Sequence, residues 1–367
     1  MAKVLVINPG STSTKIAVFE AELEAELEVE RKLFAAEVEH GAAELALCDD
    51  IPDQTPLRKG AILGALESAG ISLDSIDVFV GRGGGLDPCE GGTYIVEGLL
   101  LEHARSCHSV KHPSVLGAVL SHEFASERGK PAYTVDPPDV DELSPVARIS
   151  GLKEVPRESR FHALNQKEVC RRAAASLGKT YESSNFVAAH IGGGISIAAH
   201  QKGRVVDVND IINGDGPMAP TRCGQISAKG MVDLCFGGKY GEKEIRGLIS
   251  KNGGLVNHLG TSSILEALNR AADGDSYALL VIDALGYQIS KSIGACASVL
   301  KGQVDAIVLT GGASRSEKIV GDIREHCGYI ADFFVYPGEF EMEALAHGAL
   351  RVWRGQEEAK AYTGKQD

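Results

Sequence analysis

The sequence predicts an α/β fold that is built twice, once in each half of the chain. The chain has 367 residues, which exceeds the usual size of one hydrophobic core. Short β-branched runs alternate with segments of helical periodicity. The order strand, glycine-rich turn, strand, turn, strand begins at Val4 and again at Asn185, and we interpret this repeat as an internal duplication.

The first half opens with two predicted strands, Val4–Ile7 and Lys15–Phe19, on either side of a turn at Gly10–Ser13. In Glu20–Glu30, glutamates alternate with apolar residues, which predicts a third strand with one solvated face. A functional acidic patch is the alternative, but solvated strand faces are much commoner. The remaining predicted elements are a helix at Leu57–Ala69, a strand at Ile76–Val80, a helix at Ser114–Ser126 and a strand at Ala132–Val135.

The second half repeats the pattern. Its predicted elements are a helix at Ala163–Leu177, strands at Asn185–His190, Ile195–His200, Val205–Val208 and Asp305–Thr310, and helices from Ser314 onward and at Glu341–Arg351. We expect one domain at residues 1–150, completed by the C-terminal helix at 341–367, and a second, nucleotide-binding domain at 151–340.

The charge and the cysteines limit the partners and the compartment. The net charge is −13, which disfavours nucleic acid and anionic lipid as partners. None of the eight cysteines forms a C-x-x-C pair, so we expect reduced thiols and no structural zinc at cysteine. The N-terminus lacks the pattern of a signal peptide, and no apolar run approaches the ~18 residues of a membrane span. These features predict a cytoplasmic protein.

The loop Asn8-Pro9-Gly10-Ser11-Thr12-Ser13-Thr14-Lys15 is the first candidate phosphate site. Phosphate oxygens need close backbone N–H groups, hydroxyl donors and a cation, and this loop offers all three. Taken alone, it could equally be a plain hairpin turn. The repeat favours phosphate binding, because Gly192-Gly193-Gly194 takes the same place in the second half. Gly311-Gly312 ends a further strand, and we expect it near the nucleoside.

Two other nucleotide motifs are excluded. Leu177-Gly178-Lys179-Thr180 resembles the end of G-x-x-x-x-G-K-[ST], but Ala173 stands where the first glycine belongs. The segment also closes a predicted helix instead of opening one. The sequence contains no strand-linked G-x-G-x-x-G, which argues against a Rossmann site.

Several motifs together resemble the acetate and butyrate kinases, within the superfamily of sugar kinases, Hsp70 chaperones and actin. Besides the first loop, they are Gly81-Arg82-Gly83-Gly84, Ala147–Gly151, Phe161–Lys167, Ala189–Ser196, Leu309–Gly312, Pro337–Glu339 and Glu341–Ala346. The chain looks most like the butyrate kinase and branched-chain fatty acid kinase branch. Acetate kinases usually carry Asn-Ala-Gly-Ser-Ser-Ser and His-Arg-Val-Val-His-Gly-Gly at the first two motifs.

The resemblance implies two ribonuclease-H-like (actin-like ATPase) domains, each with a central mixed sheet flanked by helices, and an active site in the cleft between them. It implies that Arg82 and Arg222 hold the substrate carboxylate and the moving phosphoryl group. Arginine suits this role because its planar fork pairs with two oxygens and keeps its charge. His162 matches a histidine that stabilises the equatorial oxygens, and His190 matches one that contacts phosphate.

Further roles follow from the same resemblance. Asp136 matches the active-site aspartate, and Glu341 matches the glutamate that helps to place Mg²⁺, with Glu343 as the alternative. His112 matches a substrate-side histidine, although the context His-Pro-Ser departs from the His-Ala-Ser of butyrate kinases. Acetate kinases carry Asn at the position of Gly193, so this chain lacks one polar side chain there.

The residues of the first loop also receive roles. Ser11, Ser13 and Lys15 become candidates for steering phosphate and Mg²⁺, and Asn8 lies nearer the transferring group and the metal. Each residue singled out also has a plain alternative: a lone histidine is more often structural, a lone arginine is more often at the surface, and Asp136 before two prolines could simply form a turn.

The resemblance implies an ATP- and Mg²⁺-dependent kinase that phosphorylates butyrate or 2-methylpropanoate reversibly, by direct in-line transfer. The partners would be a small carboxylate and ATP, and the chain would form at least a homodimer. Two alternatives stay open. One is an acetate or propionate kinase with a smaller pocket, and the other is an ATP-driven switch of the actin or Hsp70 kind.

Overall fold

The protein is described by a computed structural model that covers residues 1–22 and 30–365. The chain forms two compact units, one from residues 1–140 together with the C-terminal segment from Phe340, and one from Asp141–Glu339. The C-terminal segment therefore belongs to the unit that contains the N-terminus. Both units combine a mixed sheet with helices, which confirms the predicted α/β fold class.

Eleven strands lie within the described residues. They are β1 (Ala2–Pro9), β2 (Ser13–Ala21), β3 (Glu30–Glu39), β4 (Val78–Gly81), β5 (Thr93–Ile95), β6 (Ala132–Val135), β7 (Asn185–Ile191), β8 (Ile195–Gln201), β9 (Arg204–Val208), β10 (Ala306–Gly311) and β11 (Phe333–Pro337).

Twelve α-helices lie within the same part of the chain. They are α1 (Ala42–Leu45), α2 (Thr55–Ser68), α3 (Gly98–Ser106), α4 (Leu116–Ser126), α5 (Ala163–Ser176), α6 (Ala228–Phe236), α7 (Glu242–Ser250), α8 (Gly254–Leu259), α9 (Ile264–Ala272), α10 (Ser276–Val299), α11 (Glu317–Cys327) and α12 (Glu341–Trp353). None of these helices is long and apolar enough to cross a lipid bilayer.

The sheet of the first unit has the order β3-β2-β1-β4-β6-β5. Strands β1, β4 and β6 are parallel neighbours, while β2, β3 and β5 pair antiparallel. Leu5 and Ile7 share one face of β1, because alternate strand residues point the same way, and they pack with Ile62 and Leu66 of α2. Helices α4 and α12 both contact β1. The carboxyl ends of three parallel strands thus lie at one edge of this sheet.

The sheet of the second unit has the order β11-β10-β7-β8-β9. Strands β7, β10 and β11 are parallel, and β7, β8 and β9 form an antiparallel meander. The first unit has the same arrangement, with β1 in place of β7 and β4 in place of β10. The repeated strand order agrees with the duplication that the sequence predicts.

Most of the strand predicted over Glu20–Glu30 lies outside the described residues. Glu20 and Ala21 end β2, Glu30 begins β3, and residues 23–29 are not described, so this strand stays a prediction. In β3 the partly buried Phe34, Ala36 and Val38 alternate with exposed residues. The third strand that pairs with β2 is therefore β3, at Glu30–Glu39.

Candidate active site

Polar residues of the first unit follow the carboxyl ends of its three parallel strands. Asn8 lies near the end of β1, Arg82 directly follows β4, and Asp136 directly follows β6. Ligands of open α/β sheets bind at this edge, because the loops that leave the strands there can converge. The topology therefore gathers three of the predicted site residues at one edge.

The Glu341 carboxylate connects two of these residues. Its Oε2 accepts a hydrogen bond from the Asn8 side-chain amide at 2.9 Å, and its Oε1 pairs with Nη1 of Arg82. Glu341 is the first residue of α12, where the helix dipole favours a negative charge. Glu343, the alternative metal residue, instead pairs with Lys32 of β3 at 2.7 Å. The structure thus places Glu341, and not Glu343, beside Asn8 and Arg82.

The close packing of Gly117 against Arg82 fixes the backbone at Arg82. A Cβ on Gly117 of α4 would lie 2.5 Å from the Arg82 carbonyl oxygen, so no side chain fits there. The Arg82 amide donates to the Ile7 carbonyl at 2.9 Å, and the Ala118 amide donates to the Arg82 carbonyl at 2.9 Å. The Arg82 Nε is buried and has no hydrogen-bond partner among the described residues. The guanidinium therefore retains one N–H for an acceptor that is not part of the unit.

His112 lies just before α4, at the start of a short 3₁₀ turn. Its Nδ1 accepts from the Ser114 amide at 3.2 Å, so the ring carries its proton on Nε2 when neutral. Atoms packed around the ring lower the pKa of His112, and the charges of Arg82 and Arg58 lower it further. Part of the ring still reaches the surface. His112 is therefore a neutral N–H donor in the surroundings of Arg82.

Asp136 is fully buried and has a left-handed backbone conformation with φ +38°. Its Oδ1 accepts from the Gly92 amide at 2.8 Å, and its own amide donates to the Gly92 carbonyl at 3.0 Å. This reciprocal pair fixes the turn that leaves β6. The bonds agree with the turn-forming alternative, and the predicted catalytic role of Asp136 stays a prediction.

The loop between β1 and β2 is a tight turn in which the Gly10 amide donates to the Ser13 carbonyl at 2.7 Å. Ser11 and Lys15 are exposed, and Lys15 lies opposite Asn8 in the ladder. The Ser13 hydroxyl donates to the Glu37 carboxylate of β3 at 2.7 Å. Of the two predicted serines, Ser11 thus faces solvent, while the Ser13 hydroxyl already has a partner.

Arg58 of α2 contacts the buried side of this loop, and no sequence motif indicated this role. Its side chain is fully buried. Nη1 donates to the Ser13 carbonyl and to the Thr14 hydroxyl at 2.9 Å each, and Nη2 donates to the Gly10 carbonyl at 2.9 Å. Burial lowers the pKa of the guanidinium. One side chain therefore satisfies the carbonyls on both sides of the turn.

A second buried residue, His40, completes the support. Its Nε2 forms a 2.8 Å hydrogen bond with the Thr14 hydroxyl, and its amide donates to the Thr12 carbonyl at 2.7 Å. Burial lowers the pKa of His40, and the charge of Arg58 lowers it further. His40 is the residue directly after β3, so its contact with Thr14 depends on the pairing of β3 with β2.

In the second unit, two predicted histidines form a stacked pair. The rings of His162 and His190 are 3.7 Å apart between centroids, and their planes differ by 7°. The His190 Nδ1 bonds to the Asn165 side-chain amide at 2.9 Å, and the same amide donates to the Thr310 hydroxyl at 3.1 Å. The His162 Nδ1 lies 2.8 Å from the Ser196 hydroxyl. Both rings are therefore fixed through Nδ1.

The glycine turn between β7 and β8 lies next to His190 and Arg222. A Cβ on Gly192 would lie 2.9 Å from the His190 Nε2, and a Cβ on Gly194 would overlap Nη1 of Arg222 at 1.7 Å. A side chain at either position would therefore displace the His190 ring or the Arg222 guanidinium, whereas a Cβ on Gly193 would meet no heavy atom within 4 Å. An Asn at position 193 would thus fit, so packing does not explain the glycine found there.

The Arg222 guanidinium is packed against this turn. The backbone of Arg222 closes a small loop with Ala219 through two reciprocal hydrogen bonds of 3.1 and 3.3 Å. Burial lowers the pKa of Arg222, and its Nη1 is buried without a hydrogen-bond partner among the described residues. Arg222 thus has the same kind of unused N–H as Arg82.

The third glycine turn ends β10, directly beside β7. Gly311 has φ +90°, and a Cβ there would lie 2.4 Å from the Ile191 carbonyl oxygen. Its amide exchanges hydrogen bonds with Gly338, which follows β11. A Cβ on Gly312 would meet nothing within 4 Å, so that position is open. His190, Gly311 and Gly338 therefore mark the carboxyl-end edge of the second sheet.

A further cluster, Asp87, His103 and His108 of the first unit, has nitrogen and oxygen atoms within 4.8 Å of one another. The two imidazoles stack, with centroids 3.9 Å apart and planes 14° apart. A metal binds in the plane of an imidazole, and it cannot lie in both of these planes at once. The stack is instead the side-chain contact of a helix end, in which the His108 amide donates to the His103 carbonyl at 3.1 Å.

The chain is similar to one protein-family model and to several solved kinase structures. The model of the Acetokinase family matches residues 152–329. The acetate kinase of Porphyromonas gingivalis has 20% identity and a TM-score of 0.76, covering 96% of this chain and 100% of that one. The propionate kinase of Francisella tularensis subsp. tularensis SCHU S4 has 18% identity and a TM-score of 0.71, covering 94% of this chain and 98% of that one. The acetate kinase of Entamoeba histolytica has 17% identity and a TM-score of 0.72, covering 95% of this chain and 98% of that one.

Identities this low establish a common fold and leave the substrate open. The similarity extends over nearly the whole length of each chain, so both units belong to that fold. The chain therefore has the α/β fold of these solved acetate and propionate kinases.

Proposed function

We propose that this chain transfers the γ-phosphoryl group of ATP to the carboxylate of a short-chain fatty acid, butyrate or 2-methylpropanoate, and that the reaction is reversible. The observation that carries the proposal is shared by Arg82 and Arg222. Each has one buried guanidinium N–H without an acceptor among the described residues. A buried donor left unpaired costs free energy, so an anion that accepts its hydrogen bond is favoured. Carboxylate and phosphoryl oxygens are the acceptors that suit arginine.

The reaction is a direct displacement at phosphorus. A carboxylate oxygen of the acid attacks the γ-phosphorus, and the bond from that phosphorus to the β–γ bridging oxygen breaks. The electron pair leaves with ADP, and the product is an acyl phosphate. The acid is already ionised at neutral pH, so no side chain has to remove a proton, unlike in sugar kinases. Catalysis therefore depends on positioning and on neutralising charge.

The residues receive roles that fit their surroundings. Arg82 and the neutral His112 hold the acid, since both offer N–H groups at the carboxyl-end edge of the first sheet. Arg222 and His162 oppose the charge of the moving phosphoryl oxygens. His190, whose Nε2 faces Gly192, contacts the phosphates of ATP together with the glycine turn. The proposed reaction thus draws on residues of both units.

The residues around Glu341 fit a magnesium ion. Asn8 directs its amide nitrogen to Glu341, which leaves its carbonyl oxygen as a possible ligand. Carboxylate and amide oxygens are the ligands that Mg²⁺ prefers, usually with waters and substrate phosphates. When bound, the ion would neutralise part of the phosphate charge. Glu343 fits less well, because Asn8 bonds to Glu341, whereas the Glu343 carboxylate contacts Lys32 of β3.

A hydroxamate assay tests the proposal. The chain is incubated with ATP, Mg²⁺, hydroxylamine and straight or branched acids of two to six carbons, and acyl hydroxamate is measured. We expect a maximum at four carbons. The difference from acetate should be about tenfold or more, because a methylene contributes ~1–3 kcal/mol in an apolar pocket. Arg82→Ala should abolish the signal, while Arg31→Ala, at an exposed arginine of the same unit, should retain it.

The other outcomes decide between the alternatives. A maximum at acetate or propionate would favour an acetate or propionate kinase, which are the activities named for the similar solved structures. ATP binding without hydroxamate from any acid would favour an ATP-driven switch and overturn the proposal.

A further inference from the structure

A chain of buried hydrogen bonds leads from the interior of the second unit to His162. It runs from Tyr181 through His200, Gln166 and Ser196 to the His162 Nδ1. The successive distances are 2.8, 3.0, 2.7 and 2.8 Å. His200, Gln166 and Ser196 are fully buried. Buried polar groups are satisfied, so each hydrogen must have a definite place along this chain.

The orientation of the Gln166 side-chain amide decides which atoms donate and which accept along these hydrogen bonds. Its Nε2 lies 2.9 Å from the Ser196 carbonyl oxygen, which can only accept a hydrogen bond. The group facing Ser196 must therefore be the NH₂ of the amide, and Oε1 must face His200. The orientation of this amide follows from chemistry rather than from a choice between two similar atoms.

The remaining hydrogens follow in both directions. Since Gln166 Oε1 only accepts, the His200 Nε2 must carry a hydrogen, and its Nδ1 must accept from the Tyr181 hydroxyl. On the other side, the Ser196 hydroxyl accepts from Gln166. Among the hydrogen bonds of the described residues, its own hydrogen is directed to the His162 Nδ1. His162 is thereby left with its hydrogen on Nε2.

Burial of His200 keeps this chain of hydrogen bonds in one protonation state. Burial lowers the pKa of His200 well below its usual range, and the charges of Lys167 and Arg171 lower it further. A neutral His200 both donates and accepts, as the chain requires, whereas an imidazolium could only donate. The stacking of His162 on His190 restricts the same ring from its face.

We propose that Tyr181, His200, Gln166 and Ser196 act as positioning residues that fix His162 as the Nε2–H tautomer, so that it presents an N–H donor to the transferring phosphoryl group. The presentation to phosphoryl rests on the proposed kinase function, and the tautomer itself does not. A histidine with the other tautomer would offer a lone pair and repel the phosphoryl oxygens.

The tautomer can be measured without any substrate. In full-length protein with ¹⁵N-labelled histidine, the NMR signals of the two ring nitrogens show which one carries hydrogen, and His162→Gln identifies the signals of this residue. We expect the wild type to have hydrogen on Nε2 of His162. Ser196→Ala should shift part or all of it to Nδ1, because the donor to Nδ1 is gone. A wild-type His162 with hydrogen on Nδ1, or signals unchanged in Ser196→Ala, would overturn the proposal.

Kinetics test the positioning role. Ser196→Ala and Gln166→Glu should lower kcat by about 10- to 100-fold, as removal of orienting partners does elsewhere, with little change in KM. Ser196→Thr keeps a hydroxyl and should recover most of the loss. The control is Ser290→Ala, at a buried serine of α10 whose hydroxyl donates to the Gly286 carbonyl of the same helix. Equal effects of Ser196→Ala and Ser290→Ala would reduce Ser196 to a structural residue.

The two experiments separate the tautomer from the proposed function. If no acid is phosphorylated, the NMR result still decides the state of His162. If the kinase activity is present and Ser196→Ala leaves kcat unchanged, the positioning role fails while the proposed function stands.

Discussion

The Arg58 guanidinium donates a 2.9 Å hydrogen bond to the Gly10 carbonyl, from a helix that begins 45 residues later in the chain. It also donates to the Ser13 carbonyl at 2.9 Å. The loop with the features of a phosphate site is thus held by a fully buried cation. Ser11 and Thr12, at the top of the turn, are exposed to solvent.

Arg58→Ala should destabilise the protein by about 3 kcal/mol or more, because the carbonyls of Gly10 and Ser13 and the Thr14 hydroxyl each lose the hydrogen bond from this buried side chain. Arg58→Lys should recover part of the loss, since one ammonium cannot reproduce the fork. Urea denaturation measures the free energy of unfolding. The exposed Arg31→Ala is the control and should stay within about 0.5 kcal/mol of wild type. An Arg58→Ala protein as stable as wild type would contradict the supporting role.

Arg222→Ala should lower turnover on the order of 10³-fold, by analogy with arginines in other phosphoryl transfers. Its buried Nη1 has no acceptor in the described part of the unit, so truncating the side chain breaks no hydrogen bond of that atom and leaves the backbone bonds to Ala219 in place. Steady-state kinetics with the preferred acid provides the measurement. Arg246→Ala, at an exposed arginine of α7, is the matched control. An unchanged turnover in Arg222→Ala would exclude the proposed role.

Glu341→Gln and Glu343→Gln should behave differently. The first removes the charge beside Asn8 and Arg82, and we expect a loss of about 10- to 100-fold in activity with a higher Mg²⁺ requirement. The second removes only a partly exposed pair with Lys32 and should change stability by less than about 1 kcal/mol. Titrating Mg²⁺ at fixed ATP compares the two. A larger metal effect in Glu343→Gln would reverse the assignment.

The stability of the protein should fall in acid because of His200. Its pKa in the folded chain is lowered well below the usual value by burial, then by Lys167 and Arg171. In the unfolded chain the imidazole takes up a proton below about pH 6.5. The unfolded state then binds more protons than the folded state, so the free energy of unfolding decreases as pH falls. This residue alone should contribute about 1.4 kcal/mol per pH unit below pH 6.

Urea denaturation at a series of pH values between 5 and 7 measures this slope. In His200→Gln, the slope of the free energy of unfolding against pH should be smaller by about 1.4 kcal/mol per pH unit, which corresponds to one proton. This difference does not depend on the absolute stability of the variant. His326→Gln controls for the loss of a histidine at an exposed position. A slope in His200→Gln equal to that of wild type would show that His200 is not the group responsible.

The local pattern of the sequence was sufficient for the fold class. Apolar runs such as Val4–Ile7 and Asn185–His190 are short and bounded by glycine turns, and the structure has strands there. The strand predicted at Glu20–Glu30 stays a prediction, because residues 23–29 lie outside the described part of the chain. The buried alternation of Phe34, Ala36 and Val38 depends on packing against the core of the first unit.

The candidate site was only partly predictable, for a similar reason. Motifs singled out Asn8, Arg82 and Glu341, which the structure brings together, and His162 and His190, which it stacks. Their catalytic roles stay predictions. Motifs could not indicate residues whose role depends on distant partners. Arg58 has the helical spacing of an ordinary surface residue, and only the loop above it shows why it is buried.

The return of α12 to the first unit has a consequence for the order of events during synthesis. Residues 141–339 leave the ribosome as one continuous stretch and contain every strand of their own sheet. The first unit, although made first, must wait for residues from Phe340 onward before Glu341 can reach Asn8 and Arg82. A nascent chain released before that point would carry a complete second unit and an N-terminal half-site with no carboxylate to hold its arginine.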